Sequence, residues 1–464
     1  MLTTTSRLFR FSPRRPRRCR PQVEALECRT VPAAFTFDNP VIATNNPMAV
    51  VSHQPTTATS FDEVEAGDDF ILAQPTQLQS ATFTGLLPAG TPLTNVTDVT
   101  IEIYRVFPND SNVTRTSGPG TTPPFQTANV PTRQNSPSDV VFDDRDSGAA
   151  GELTFTPTLV APAFTAANSV TDTGIHPKPN QTTGGDGPQA GEEVTFNVTF
   201  TKPFDLPADH YFFVPQVQLT GNPSPGFLWL AATRPNPAQN PDLQAWIRNS
   251  NLNPDWLRIG TDIVGGNPAP TFNLAFSLAG QTVAPSISSL SPAAAGEGGP
   301  SFTLTVNGSH FQSGATVLFN GTSLATTFVS DTQLTAVVPA SLIAHAGTAR
   351  VTVSAPAGTS GAFPFPITDA KPALAAAVTV GSSGNVTLNG SFADAVSETH
   401  FVLVFWGDGS ASLVPLGVSG SGSFSTPHRY RGRQAHRAHT ITVLAFDDEF
   451  SISNVVTLTA AGSL

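Results

Sequence analysis

Apolar and polar residues alternate at period two along most of this chain. Phe302, Leu304 and Val306 share one face with polar residues between them, and Val351 and Val353 repeat the pattern, because strand side chains point to opposite faces in turn. The same period runs through Thr82-Phe83-Thr84-Gly85-Leu86, Val99-Thr100-Ile101-Glu102-Ile103-Tyr104 and Val194 to Phe200, which predicts antiparallel strands with one dry face. Tyr211-Phe212-Phe213-Val214 and Phe227-Leu228-Trp229-Leu230 are continuously apolar and read as strands buried on both faces. Asn320-Gly321 supplies the two positive-φ residues of a tight hairpin turn, and Pro339 and Pro356 close strand-like runs because proline cannot donate to a sheet ladder. Nothing approaches the run of about 18 apolar residues that a membrane span needs.

The pattern predicts an all-β, multidomain chain. Residues 34–280 form the largest region, read as a jelly-roll-like β-sandwich, and two smaller sandwiches follow over 284–368 and 371–464. At 464 residues each region is long enough to bury a core of its own. Two long stretches rich in Pro, Asn, Asp, Gly and Thr interrupt the first region, Phe107 to Ala150 and Asn168 to Glu192. Loops beyond about 15 residues are uncommon inside a compact domain.

Composition adds two constraints. Only 12% of residues are charged, about half the usual share, and this balance accords with an exported β-sandwich protein. Both cysteines, Cys19 and Cys28, lie in the first 30 residues. The body therefore has no disulfide framework, thiolate metal site or catalytic cysteine. Eight of the 23 Lys and Arg, but two of the 34 acids, also fall in the first 33 residues, which leaves 15 basic against 32 acidic side chains, a balance of −17. Such a surface disfavours nucleic acid and anionic membranes.

Residues 1–33 read as a basic leader, disordered or targeting. Arg14-Arg15-Pro16-Arg17-Arg18-Cys19-Arg20 is proline-broken, and Leu26-Glu27-Cys28-Arg29 follows. This resembles the Leu-Glu-x-Arg (LEPR) type of leader on large planctomycete surface proteins, with Cys28 in the place of its proline. The apolar run of a standard secretory signal is absent. Residues 284–368, with Ser291-Pro292, Gly298-Gly299-Pro300, the Phe302 alternation, Gly308, Phe311 and Asn320-Gly321, resemble the IPT/TIG family of immunoglobulin-like domains. Residues 371–464 contain Trp406-Gly407-Asp408-Gly409-Ser410, His428-x-Tyr430 and a strand ending in Asp447-Asp448, and resemble the polycystic kidney disease (PKD) repeat, also immunoglobulin-like. These resemblances imply spacer and contact modules of an extracellular or cell-surface protein, with Trp406 in the core and Asp408-Gly409 in a tight turn.

Candidate chemistry is sparse. Asp143, Asp144 and Asp146 precede Gly148, a grouping of hard oxygen ligands that suits calcium, although Arg145 stands inside it and the spacing of a full calcium loop is missing. Trp246 and Trp256 flank the polar segment Arg248-Asn249-Ser250-Asn251 and are candidates for a sugar-stacking platform, with core packing as the competing reading. Arg429, Arg431, Arg433 and Arg437 form a basic segment where the PKD pattern has a short turn, suited to an anionic polysaccharide or an acidic neighbour. No paired-histidine metal motif, nucleophile elbow or phosphate loop occurs. The reading is a non-enzymatic structural or adhesive protein, without nucleic-acid partners, that meets a surface or matrix protein or a polysaccharide. A polysaccharide-binding protein and a secreted glycan hydrolase are the alternatives, the latter requiring two carboxylates converging across a cleft.

Overall fold

The computed structural model describes residues 32–41, 47–55, 62–113, 134–148, 151–175, 182–221, 223–448 and 450–462. Most of the basic leader and parts of both long loops lie outside these residues. The described chain is β-rich throughout, with thirty strands in five sheets and a few short helical turns.

The first region is a two-sheet sandwich. In one sheet the order is Ala34–Asn39, Phe276–Thr282, Thr76–Leu87, Leu228–Ala232, Met48–Val51 and Asn168–Val170, with Gln189–Leu206 also paired to Thr76–Leu87 and carrying Leu153–Ala166. The other runs Leu257–Arg258, Trp246–Asn249, Val64–Ile71, His210–Leu219, Val96–Arg105 and Asp143–Asp146. Strand Ala34–Asn39 pairs antiparallel with Phe276–Thr282, Ala34 opposite Gln281 and Asn39 opposite Phe276.

Between the sheets the core is aromatic. Phe83 stacks on Phe196 with centroids 4.8 Å apart, Phe213 on Phe276 at 4.9 Å, and the Trp229 indole donates to the Ala275 carbonyl at 2.8 Å. The apolar run Tyr211 to Val214 is buried on both faces. Tyr211 and Phe213 enter the main core, whereas Phe212 and Val214 face a second, smaller apolar cluster with Tyr104, Leu243, Trp246 and Trp256 on the outer side of the six-stranded sheet. Period-two alternation places successive residues in these two layers.

Residues 286–368 form two facing sheets around Leu304, Val306, Val317, Phe319, Leu334, Val351, Val353 and Phe365. Asn320 and Gly321 have φ of 50° and 81°. They turn strand Thr316–Phe319 back onto Thr322–Ser323, with Phe319 opposite Thr322, the geometry of a two-residue hairpin.

In the last region one sheet holds all five strands. Its central hairpin joins two unusually long strands, Asn385–Phe405 and Ala411–Arg429. The register skips between Ala393 and Glu398. Residues before the skip pair with Ala373–Val380 and those after it with His439–Phe446. This bend lets one pair of strands serve both layers, around a core of Leu388, Val402, Val404, Trp406, Ile441 and Val443.

Candidate functional site

The first region holds a cavity of about 400 Å³ whose polar lining includes His53, Asp62, Asp172, Asn249 and Asn251. Strand pairing builds its central contact. Met48–Val51 runs parallel to Asn168–Val170 with Val50 opposite Val170, so the residues just beyond both strands leave the sheet side by side. There His53 Nε2 meets Asp172 Oδ1 at 3.0 Å, while Nδ1 donates to the Gln54 carbonyl at 2.7 Å. Burial opposes the charge on His53, but the hydrogen bonds to Asp172 and Gln54 and the charges of Asp172 and Asp62 prevail and raise its pKa. An acceptor at each ring nitrogen favours the protonated imidazole. The arrangement suits holding a polar group better than general-base chemistry.

A second polar centre lies beneath Trp256. Arg248 Nη2 donates to Glu65 Oε1 at 2.8 Å and to the Tyr104 hydroxyl oxygen at 2.6 Å, and Arg248 Nε also binds Glu65. The Tyr104 hydroxyl lies 2.6 Å from Glu65 Oε1 and 3.0 Å from Glu102 Oε2. Burial works against ionised Glu65, but the charge and hydrogen bonds of Arg248 outweigh it and lower its pKa. Burial and then the Glu65 charge push Glu102 well above the ordinary range. Glu63, Glu65 and Glu102 have carboxylate oxygens within 4.8 Å of one another. Arg248 already occupies Glu65 as its counter-charge. Two carboxylates do converge here, as a hydrolase requires, but Glu65 is 3% exposed and is packed under aromatic rings.

The tryptophan platform is overturned. Trp246 and Trp256 are 1% and 2% exposed. The Trp256 indole donates to the Ser138 carbonyl at 3.2 Å and takes the Arg248 guanidinium at 4.5 Å from its ring centroid. The polar segment that suggested an exposed site supplies, in Arg248, the buried cation that the Trp256 and Tyr104 rings cover.

The aspartate grouping is corrected as well. Asp143–Asp146 is an edge strand, and its alternation sends Asp143 to one face with Arg145 and Asp144 and Asp146 to the other. Arg145 is 3% exposed. Its Nη1 binds Asp143 Oδ1 at 2.6 Å, its Nη2 and Nε reach the Pro203 and Lys202 carbonyls, and its guanidinium lies 4.1 Å from the Phe204 centroid. Asp146 Oδ1 accepts from the Gly148 N–H at 2.5 Å. The three carboxylates do not converge on an ion, and Asp143 already has its cation.

Arg429, Arg431, Arg433 and Arg437 are all exposed. They lie at the end of strand Ala411–Arg429 and around the short helical turn Gly432–His436, which gathers them into one exposed segment. Behind them Trp406 stacks on His428 at 4.5 Å, His428 Nε2 meets Asp408 Oδ2 at 2.9 Å, and the Tyr430 hydroxyl donates to the Trp406 carbonyl at 2.7 Å.

Sequence reasoning missed the His53–Asp172 pair and the Arg248–Glu65 pair, whose members stand 119 and 183 residues apart. No local spacing signals either.

The IPT/TIG domain model matches residues 285–367. No curated protein matches the chain. Among solved structures the chain is similar to the PKD domain of an M14-like peptidase from Thermoplasmatales archaeon SCGC AB-540-F20, at 16% identity over 20% of this chain and 94% of that one, with a TM-score of 0.16. It is also similar to the adhesin InvE of Yersinia pseudotuberculosis, at 12% identity over 38% of this chain and 57% of that one, TM-score 0.24. The fibronectin(III)-like modules of Clostridium thermocellum CbhA align at 15% identity over 38% of this chain and 93% of theirs, TM-score 0.17. Likeness at such scores carries no argument about activity. Among the described residues no helix is long and apolar enough to cross a membrane.

Proposed function

We propose that this chain is a structural contact protein of the cell surface or extracellular space, built from β-sandwich modules and without an enzymatic activity of its own. The observation that carries the reading is the IPT/TIG domain at 285–367, set between two further regions with their own apolar cores. The buried polar chemistry fits this role. Arg248 is committed to the buried Glu65, and Arg145 and His53 to the more exposed Asp143 and Asp172, so these groups fix strands and loops in place. For the buried Arg248–Glu65 pair this role is specificity of structure, since burial of two charges offsets most of their attraction.

An anionic polysaccharide is the second reading, and it rests on the exposed arginines at 429, 431, 433 and 437. An exposed basic segment on an otherwise acidic body attracts polyanions to that segment. The aromatic platform that first suggested sugar binding no longer supports it.

The test is retention of residues 34–464 on a panel of neutral and anionic polysaccharides and on intact cells of the source organism. Surface labelling of the native protein by antibody, with loss of the label after brief external protease treatment, is expected. Retention on an anionic polymer that disappears when the four arginines become glutamine selects the polysaccharide reading. Hydrolysis of any polymer in the panel, or a native protein that external protease never reaches, overturns the proposal.

A further inference from the structure

The cavity beside His53 is framed by strand ends from both sheets of the first sandwich. His53 and Val64 exchange backbone hydrogen bonds at 2.9 and 3.0 Å, and the Val217 N–H donates to the Ser52 carbonyl at 3.4 Å. Val64 lies opposite Asn249 in the ladder between Val64–Ile71 and Trp246–Asn249. Asp172 enters from the short turn Asp172–Gly174. Asp186 braces that turn, its Oδ2 accepting from the Thr171 N–H and hydroxyl at 2.8 and 3.0 Å. Backbone pairing within the sandwich thus holds the walls open before any ligand arrives.

The lining sets polar groups against an aliphatic wall of Val64, Val217, Leu219 and Pro223. Asp172 Oδ1 is held by His53 at 3.0 Å, while Oδ2 has no partner among the described residues. Asn249 Oδ1 accepts from the Asn251 and Leu252 N–H groups at 3.1 and 3.2 Å, which leaves its Nδ2 as a donor. The Ser224 hydroxyl and the Asn251 amide line the same opening, and neither side chain bonds to another described residue. Acceptors, donors and an apolar wall in one cavity suit a ligand that carries several hydroxyl groups on a carbon ring. No lysine or arginine lines it, whereas Asp62 and Asp172 do, so an anion would meet charge of its own sign. The volume of about 400 Å³ falls within the range of about 300–1,000 Å³ for small-molecule sites.

We propose that this cavity binds a neutral sugar residue, with Asp172 and Asn249 holding its hydroxyl groups and Val217 and Leu219 receiving its carbon–hydrogen face. Asp172 accepts from the sugar through Oδ2, and Asn249 donates to it through Nδ2. His53 is a positioning residue, since it holds Asp172 and leaves the ligand to the second oxygen. The site goes beyond the contact role proposed above and is separate from the exposed arginines, which suit a polyanion. A hydrogen bond to a charged carboxylate sets the size of the effect, and its loss weakens binding by roughly 10- to 100-fold.

The experiment mixes the full chain with the methyl glycosides of glucose, galactose and mannose, and with glucuronic acid as the charged comparison. Saturation-transfer NMR reads contact and isothermal titration reads affinity. At least one neutral glycoside is expected to bind, and glucuronic acid is expected to bind more weakly. Asp172→Asn keeps an acceptor for His53, and Asn249→Asp keeps the acceptor of the turn, so each removes the ligand contact with little change to the fold. Both should weaken binding roughly 10- to 100-fold. Ser224→Ala and Asn251→Ala, whose side chains hold nothing else among the described residues, repeat the test should either of the first two variants fail to fold. Glutamine at 429, 431, 433 and 437 should leave glycoside binding unchanged, which separates this cavity from the polyanion reading. A wild-type chain that binds none of the neutral glycosides overturns the site and leaves the contact role standing. Affinity that none of the cavity variants alters, or glucuronic acid that binds as tightly as its neutral counterpart, also overturns it.

Discussion

The Arg248 guanidinium lies 4.5 Å from the centroid of the Trp256 ring. A desolvated cation against an indole face is worth about 2 kcal/mol or more, and the ring also closes the small apolar cluster. Trp256→Ala should therefore lower stability by about 3–5 kcal/mol, read as a shifted urea midpoint of the first transition. A variant of unchanged stability that lost retention on a polysaccharide would restore the platform reading.

Glu65 is the counter-charge of Arg248. Removing one member of a buried pair leaves the other uncompensated, so Glu65→Ala should cost about 3–5 kcal/mol. Replacing both with apolar residues, as Glu65→Leu with Arg248→Met, should cost clearly less. Denaturant unfolding of the two variants and the wild type checks the order, and equal losses would show that packing, not charge, dominates there.

His53 makes stability depend on pH. Its folded pKa is raised above the ordinary 6.5 by Asp172, the Gln54 carbonyl and Asp62, against the burial that opposes it. A raised base binds its proton more tightly when folded. Its contribution is full below about 6.5 and fades as pH climbs through the folded value. Urea midpoints of wild type and His53→Gln should differ most near pH 5.5 and approach each other above pH 8. A constant gap across that range would mean the pair acts by packing alone.

Asp408 behaves in the opposite sense. Hydrogen bonds from the Ser410 hydroxyl and N–H, at 2.5 and 2.9 Å, and from His428 overcome the burial that opposes ionisation and lower its pKa to about 2. This stabilisation is present above the ordinary 3.8 and is lost as pH falls towards 2. Asp408→Ala should cost about 1.5–3 kcal/mol at pH 7, the range for hydrogen bonds to a charged group, and less at pH 2.5. Calorimetry at the two pH values reads the difference.

What the sequence revealed divides along sequence distance. The Phe302, Leu304 and Val306 face and the Asn320-Gly321 turn are set by neighbours a few residues away, and their geometry follows from side-chain alternation and positive φ. Trp406 was placed in the core through the motif around Asp408. Trp246 and Trp256 read as either core or platform because the polar run between them looks solvated, whereas Arg248 turns inward to Glu65, 183 residues earlier. The aspartate grouping failed for the reverse reason. Arg145 was visible inside it, but strand alternation, not composition, puts Arg145 beside Asp143 and sends Asp144 and Asp146 away.

The pairing of Ala34–Asn39 with Phe276–Thr282 has a mechanical consequence. Ala34 lies opposite Gln281, so the chain enters and leaves the first sandwich at the same end of the same two strands. Tension applied through the flanking segments pulls those ends directly apart and opens the ladder one rung at a time, as a zipper opens, instead of shearing all its hydrogen bonds at once. Under load the outermost strand is released first, and the remainder of the sandwich stays folded as a closed excursion from the line of force.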